Sequence, residues 1–146
     1  MRTPALLIIL AALAGCGSGS THSSVTVEDA ILRLPAVAGR PAAGYATVTA
    51  TVDRGALTGV SSPRAKRVEM HSTRMTGSTA KMEPILAIES GDGAIVFAPG
   101  GRHLMLIEVD PALKPGDQAE LTFRFEHGDP VTAPARVIGA GDDVAH

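Results

Sequence analysis

No stretch of this chain sustains an apolar period of 3.6 residues. It offers instead short β-branched or alternating runs, each cut by glycine or proline. That punctuation excludes long packed helices and predicts many short strands joined by turns. Val25 to Leu34 reads as a first strand, stopped at Pro35, and residues 36–44 as a Pro/Gly/Ala loop. Tyr45 to Val52 (YATVTATV) alternates with period two, and Asp53-Arg54-Gly55 follows as a turn. A short strand and loop covers residues 56–62, and another strand runs from Arg67 to His71. Residues 73–80, containing Gly77, predict a hairpin tip, with Lys81 to Ile88 as the return strand. Pro84 in that strand predicts an edge or a bulge, because proline cannot donate to a ladder. Further strands are read at 94–98, 102–109, 118–126 and 131–138. In the run QAELTFRFE, Leu121, Phe123 and Phe125 share one face. The fold class is all-β, a sandwich or a small barrel.

The first fifteen residues stand apart. Arg2 is their only charge, and residues 5–14 are an apolar run too short to span a bilayer but suited to a secretory signal. The run ends in Leu13-Ala14-Gly15-Cys16, which resembles a bacterial lipobox, and Cys16 is the sole cysteine. The expected organisation is a lipoprotein signal peptide at 1–15, a lipidated polar tether at 16–24 that contains His22, one β-domain at 25–138 and a frayed tail at 139–146. Acylated Cys16 would anchor the protein to the periplasmic face of a bacterial membrane without spanning it. An ordinary signal peptide with an incidental cysteine is the competing reading.

Composition narrows the function. Thirteen basic and fifteen acidic residues, with no lysine or arginine run, give no electrostatic support for nucleic-acid binding. Beyond Cys16 there is no cysteine for a disulfide, a thiolate zinc site or a His/Cys blue-copper site. The chain shows no phosphate loop, no ordered Ser-His-Asp set and no marked carboxylate pair, so an enzyme is not expected.

Residues 70–105 contain four of the five methionines, Met70, Met75, Met82 and Met105, together with His71 and His103. Thioether sulfur is a soft donor that favours Cu(I), and imidazole suits copper as well. In an oxidising compartment cysteine would risk disulfide formation, which methionine avoids. Residues i and i+2 of a strand share a face, so His103 and Met105 project together while Leu104 and Leu106 project to the other side. Ten residues separate His71 from Met82, which fits a hairpin that returns Met82 beside His71. His71, Met82, His103 and Met105 are therefore the expected ligands of one Cu(I) ion on an open rim. Met70 and Met75 are auxiliary candidates, although Met70 is expected to point into the core. Glu69 and Arg102 neighbour the ligands and are candidates for tuning the charge. His127 and His146 read as solvated. Histidine must be neutral to ligate, so affinity is expected to fall on acidification. The alternative is a metal-independent lipoprotein module, an immunoglobulin-like sandwich in which each histidine is an ordinary surface residue, Met70 and Met105 fill the core and Met75 is a mobile surface residue.

The spacing resembles that of the bacterial periplasmic copper chaperones called PCuAC. Their signature is His, ten residues, Met, about twenty-one residues, then His-x-Met. The likeness spans roughly residues 27–137. It includes Glu28-Asp29-Ala30, Arg33-Leu34-Pro35, Ala43-Gly44-Tyr45, Ser61-Ser62-Pro63, Val68-Glu69-Met70-His71, Lys81-Met82 and Pro99 to Met105. The second spacer is one residue short, and Ile31 stands where an aromatic is common. The resemblance implies a cupredoxin-like antiparallel β-sandwich that carries Cu(I). The implied recipient is a respiratory oxidase subunit, namely the copper centre of cytochrome c oxidase, or another copper assembly factor.

Overall fold

The computed structural model describes residues 24–91 and 93–144. Cys16, the apolar leader, His22 and His146 lie outside the described residues. Among the described residues, nine strands follow in order: β1 Val25–Arg33, β2 Ala42–Ala50, β3 Leu57–Ser61, β4 Ala65–Thr76, β5 Thr79–Ile85, β6 Ile95–Phe97, β7 Arg102–Val109, β8 Gln118–Phe125 and β9 Val131–Ile138. Among the described residues, the one helical element is a single 3-10 turn, Val52–Arg54, where the sequence predicts an ordinary turn.

The hydrogen-bonded path runs β3-β8-β9-β1-β2-β7-β4-β5, with β6 added to β2. Its two wings bury their inner faces against each other. Leu57 and Val60 of β3 and Leu121, Phe123 and Phe125 of β8 join one core with Met70 of β4 and Leu104 and Leu106 of β7. Alternation dictates this arrangement: β8 buries every second residue, the same apolar stripe read from the sequence. Each large apolar side chain withdrawn from water contributes roughly 1.5–3 kcal/mol, so the two-layer core dominates the stability.

The sandwich is mixed rather than wholly antiparallel. β1 pairs parallel to β9 over Ile31 to Arg33, while every other pairing is antiparallel. A register shift between Glu28 and Ile31 bends β1, and Asp29 sits there at φ 51°, a left-handed conformation that aspartate tolerates better than most residues. Gly44 is favoured for a different reason. A Cβ at this position would meet Leu104 Cβ at 3.0 Å and Leu106 Cδ1 at 3.1 Å, so alanine would fit between β2 and β7 only if these neighbours gave way by a few tenths of an ångström.

The expected frayed tail is ordered through Val144. Gly139 N–H donates to Asp142 Oδ2 at 2.7 Å, and Arg33 donates to the Asp142 carbonyl. Val144 packs on a second apolar cluster of Ile31, Tyr45 and Ile138 on the outer face of the sheet. Docking depends on a surface assembled from three distant strands, so the local sequence carries no sign of it.

Candidate metal centre

The site is built on three adjacent strands, β7-β4-β5. Residues 76 and 79 pair across a two-residue turn in which Gly77 has φ 62°, so β4 and β5 form a tight hairpin. That turn fixes the register: His71 faces Pro84, and Thr73 faces Met82. On the other side of β4, His71 lies opposite His103, and Glu69 lies opposite Met105. Directly opposed residues share a face. Glu69, His71, Thr73, Met82, His103 and Met105 therefore all project from one surface, the one turned away from the core. The structure thus brings together the four residues singled out by spacing.

β5 ends the path and pairs only with β4, so Pro84 sits where a missing donor costs nothing. β7 begins after a turn in which Gly101 N–H donates to the Ala98 carbonyl at 3.1 Å, with Pro99 and Gly100 (φ 78°) at its centre. The order Pro-Gly at the two central positions suits a type II turn. It sets His103 at the second residue of its strand.

The rings of His71 and His103 have centroids 5.9 Å apart. Each has one nitrogen engaged. His103 Nδ1–H donates to the Gly101 carbonyl at 3.2 Å, and that carbonyl also accepts from Thr73 N–H at 3.1 Å. His71 Nε2–H donates to Glu69 Oε2 at 3.0 Å. The remaining nitrogens are therefore the ones free to bind a metal: Nε2 of His103 and Nδ1 of His71. The latter is buried and has no partner. A buried, unpaired lone pair costs about 1–3 kcal/mol, which a ligand at this nitrogen would recover.

An open cavity of about 280 Å³ abuts this surface and is lined by Tyr45, Thr73, Met82, His103 and Met105, with Pro41 and Pro99 at its margin. Exposure is graded across the donors: His103 is 9% exposed, while Met82 is 56% exposed. Met75, facing Ala80, lies on the same side as Met82, one step nearer the hairpin tip, and is 62% exposed. Met70 does not join. It is opposed to Leu104 and Ile85, points into the core and is 5% exposed. Arg102 faces Ser72 and so belongs to the opposite parity. Tyr45 and Thr73 were not singled out from the sequence. Thr73 follows from period two counted from His71; Tyr45 needs the β2-β7 pairing, which no local pattern reveals.

The hairpin is two-faced. Arg74, Lys81 and Glu83 share one side and form weak exposed ion pairs at 3.6 and 3.4 Å. The other side, Thr73, Met75, Ala80, Met82 and Pro84, is uncharged. Glu69 is the charged residue nearest the candidate ligands on this surface, with Arg67 two positions before it. The Arg67 guanidinium, donating from Nε at 2.7 Å, and then His71 hold its carboxyl below the usual carboxylate range.

The LpqE-like family matches residues 25–137, nearly all of the β-domain. The chain belongs to the LpqE-like family. A copper-bound PCuAC domain from PmoF2 is 28% identical to this LpqE-like chain, with a TM-score of 0.62, and the match covers 79% of this chain and 92% of that one. The apo PCuAC domain of PmoF2 gives 28% identity and a TM-score of 0.63, covering 81% and 92%. The solution structure of the Cu(I) form of DR1885 from Deinococcus radiodurans is 26% identical at a TM-score of 0.58, covering 84% and 83%. No curated protein matches the chain. The likeness to PCuAC domains read from the His71-Met82-His103-Met105 spacing is thus borne out by the fold of this LpqE-like protein.

Proposed function

We propose that this LpqE-like protein is an extracytoplasmic Cu(I) carrier that hands its ion on by ligand exchange. One observation carries the reading: register, not proximity in sequence, sets two imidazoles and two thioethers on one face, and Met82, His103 and Met105 line an open cavity there. The copper-bound PmoF2 domain and the Cu(I) form of DR1885 support it. The chemistry fits. Two thioethers and two neutral imidazoles leave the +1 charge of Cu(I) intact and select soft over hard ions. Copper is the cargo here, so the useful property is controlled release. Buried His103 and half-buried His71 would hold the ion, and exposed Met82 on an edge strand would yield first to an incoming donor.

The proposal extends to place and recipient. The lipobox-like segment at Cys16 supports a lipid anchor on the periplasmic face of a bacterial membrane. Ligand exchange toward the copper centre of cytochrome c oxidase, directly or through another assembly factor, is the proposed direction of transfer. X-ray absorption on the Cu(I)-loaded protein is the decisive experiment. Two sulfur and two nitrogen neighbours are expected; a coordination sphere without sulfur would refute the assignment.

A further inference from the structure

Residues Arg67, Glu69 and His71 occupy alternate positions on β4 and therefore stand in a row on the metal-facing surface. Arg67 Nε–H donates to Glu69 Oε1 at 2.7 Å, and His71 Nε2–H donates to Glu69 Oε2 at 3.0 Å. Each carboxylate oxygen is thus engaged by a different neighbour. The bond to His71 decides which ring nitrogen carries the proton. With Nε2 protonated, Nδ1 holds the lone pair, and Nδ1 is the buried atom without a partner. An imidazole alone in water interchanges its two tautomers, so the hydrogen bond made by one ring nitrogen decides which nitrogen is left to bind a metal.

We propose that Glu69 is a positioning residue for copper. It fixes His71 as the Nε2–H tautomer with Nδ1 presented to the ion, and Arg67 keeps the carboxylate aimed. The inference deepens the copper reading of the site and rests on it. His103 is arranged the same way with a different acceptor, the Gly101 carbonyl at 3.2 Å. The two rings therefore present opposite nitrogens, Nδ1 and Nε2, toward the shared ion. An acceptor behind a metal-bound imidazole raises ligand basicity, and its loss typically costs about 10- to 100-fold in metal affinity.

The test uses the mature protein with Glu69→Leu, Glu69→Gln and Arg67→Ala variants. Long-range 1H–15N NMR of the apo form reads the tautomer of His71, and competition against a chromophoric Cu(I) chelator reads affinity. The wild type is expected to show the Nε2–H form. Glu69→Leu is expected to fall back toward the mixed tautomer population of a free imidazole and bind copper about 10- to 100-fold more weakly. Glu69→Gln keeps an acceptor oxygen and should retain the tautomer with a smaller loss of affinity, a rescue that a purely structural role would not produce. Arg67→Ala should fall between. If Glu69→Leu keeps both the wild-type tautomer and the wild-type affinity, the role of Glu69 is overturned while the copper site stands. If the wild type takes up no Cu(I), the copper reading itself fails, and this inference with it.

Discussion

Replacing Met82 with alanine separates copper binding from folding more sharply than any other single change. Met82 is 56% exposed, lies on an edge strand and faces Thr73, so its truncation leaves no cavity. Apo stability should move by no more than about 0.5 kcal/mol, the range for surface substitutions. Copper-dependent stability behaves differently. A ligand that binds only the native state stabilises it by RT ln(1 + [L]/Kd), about 2.7 kcal/mol at a free concentration 100 times Kd. A direct ligand should matter at least as much as a hydrogen-bonded support, so the affinity loss is taken as about 100-fold. At the same free Cu(I), the variant then sits at its own Kd and gains about 0.4 kcal/mol. The difference is about 2.3 kcal/mol. For a domain of this size, one kcal/mol shifts Tm by about 4 °C. Buffered Cu(I) should therefore raise the wild-type Tm by about 11 °C and that of Met82→Ala by about 2 °C, from nearly equal apo values. Calorimetry or near-UV dichroism melts under a Cu(I)-buffering chelator and a mild reductant provide the measurement. Equal copper-induced shifts in the two proteins would refute the placement of Met82 in the site.

Other substitutions probe the parts around it. Met70→Ala should destabilise the fold by about 2–5 kcal/mol, because it empties a core position, yet leave the copper stoichiometry at one; urea melts and a copper titration distinguish the two effects. Gly44→Ala forces a methyl group against Leu104 and Leu106 and should cost about 1–3 kcal/mol by denaturant unfolding. The pH dependence of Glu69 has a definite sign. Its carboxyl is depressed in the fold, so the stability it contributes is present above the ordinary value of 4.5 and is lost as pH falls through the lowered one. Apo wild type should therefore melt above Glu69→Gln at pH 7, and the gap should close in strong acid; a gap that widens on acidification would contradict the Arg67-Glu69-His71 arrangement.

The candidate ligand set was legible because its geometry depends on short-range rules. His103 and Met105 share a face by alternation alone, and His71 and Met82 are joined by a hairpin whose turn lies between them. The meeting of those two pairs is another matter. It requires β4 to lie beside β7 in the register that opposes His71 to His103, a pairing across some thirty residues that no local pattern specifies. Spacing suggested it only through likeness to a family. The same distinction explains what escaped. The parallel β1-β9 contact, the bulge at Asp29 and the docked tail at Val144 are all set by tertiary partners. Met70 shows the rule working in reverse: one residue from His71, it had to face the opposite way, and the core received it.

A carrier must bind tightly enough to compete for copper and still let it go. The fold resolves this by mounting its donors on elements of unequal support. His103 stands on β7, bonded on one side to β4 and on the other to β2, and its ring is tied to Gly101. His71 stands on β4 between two strands, with its ring tied to Glu69. Met82 has neither advantage. β5 is bonded on one side only, and a thioether has no N–H through which a neighbour could fix it. In the proposed site, displacing Met82 would therefore break one soft bond and disturb no hydrogen bond of the sandwich. The uncharged side of the hairpin that carries it, Thr73, Met75, Ala80 and Pro84, opens the same path to a neutral donor from outside. Copper should leave past Met82 while the two imidazoles still hold it, so that the incoming ligand replaces sulfur before nitrogen. Transfer rates to a soluble thioether or thiolate acceptor that slow when exposed Ala80, beside Met82 on that uncharged side, is replaced by a bulky residue, with equilibrium affinity unchanged, would be the kinetic signature of that order.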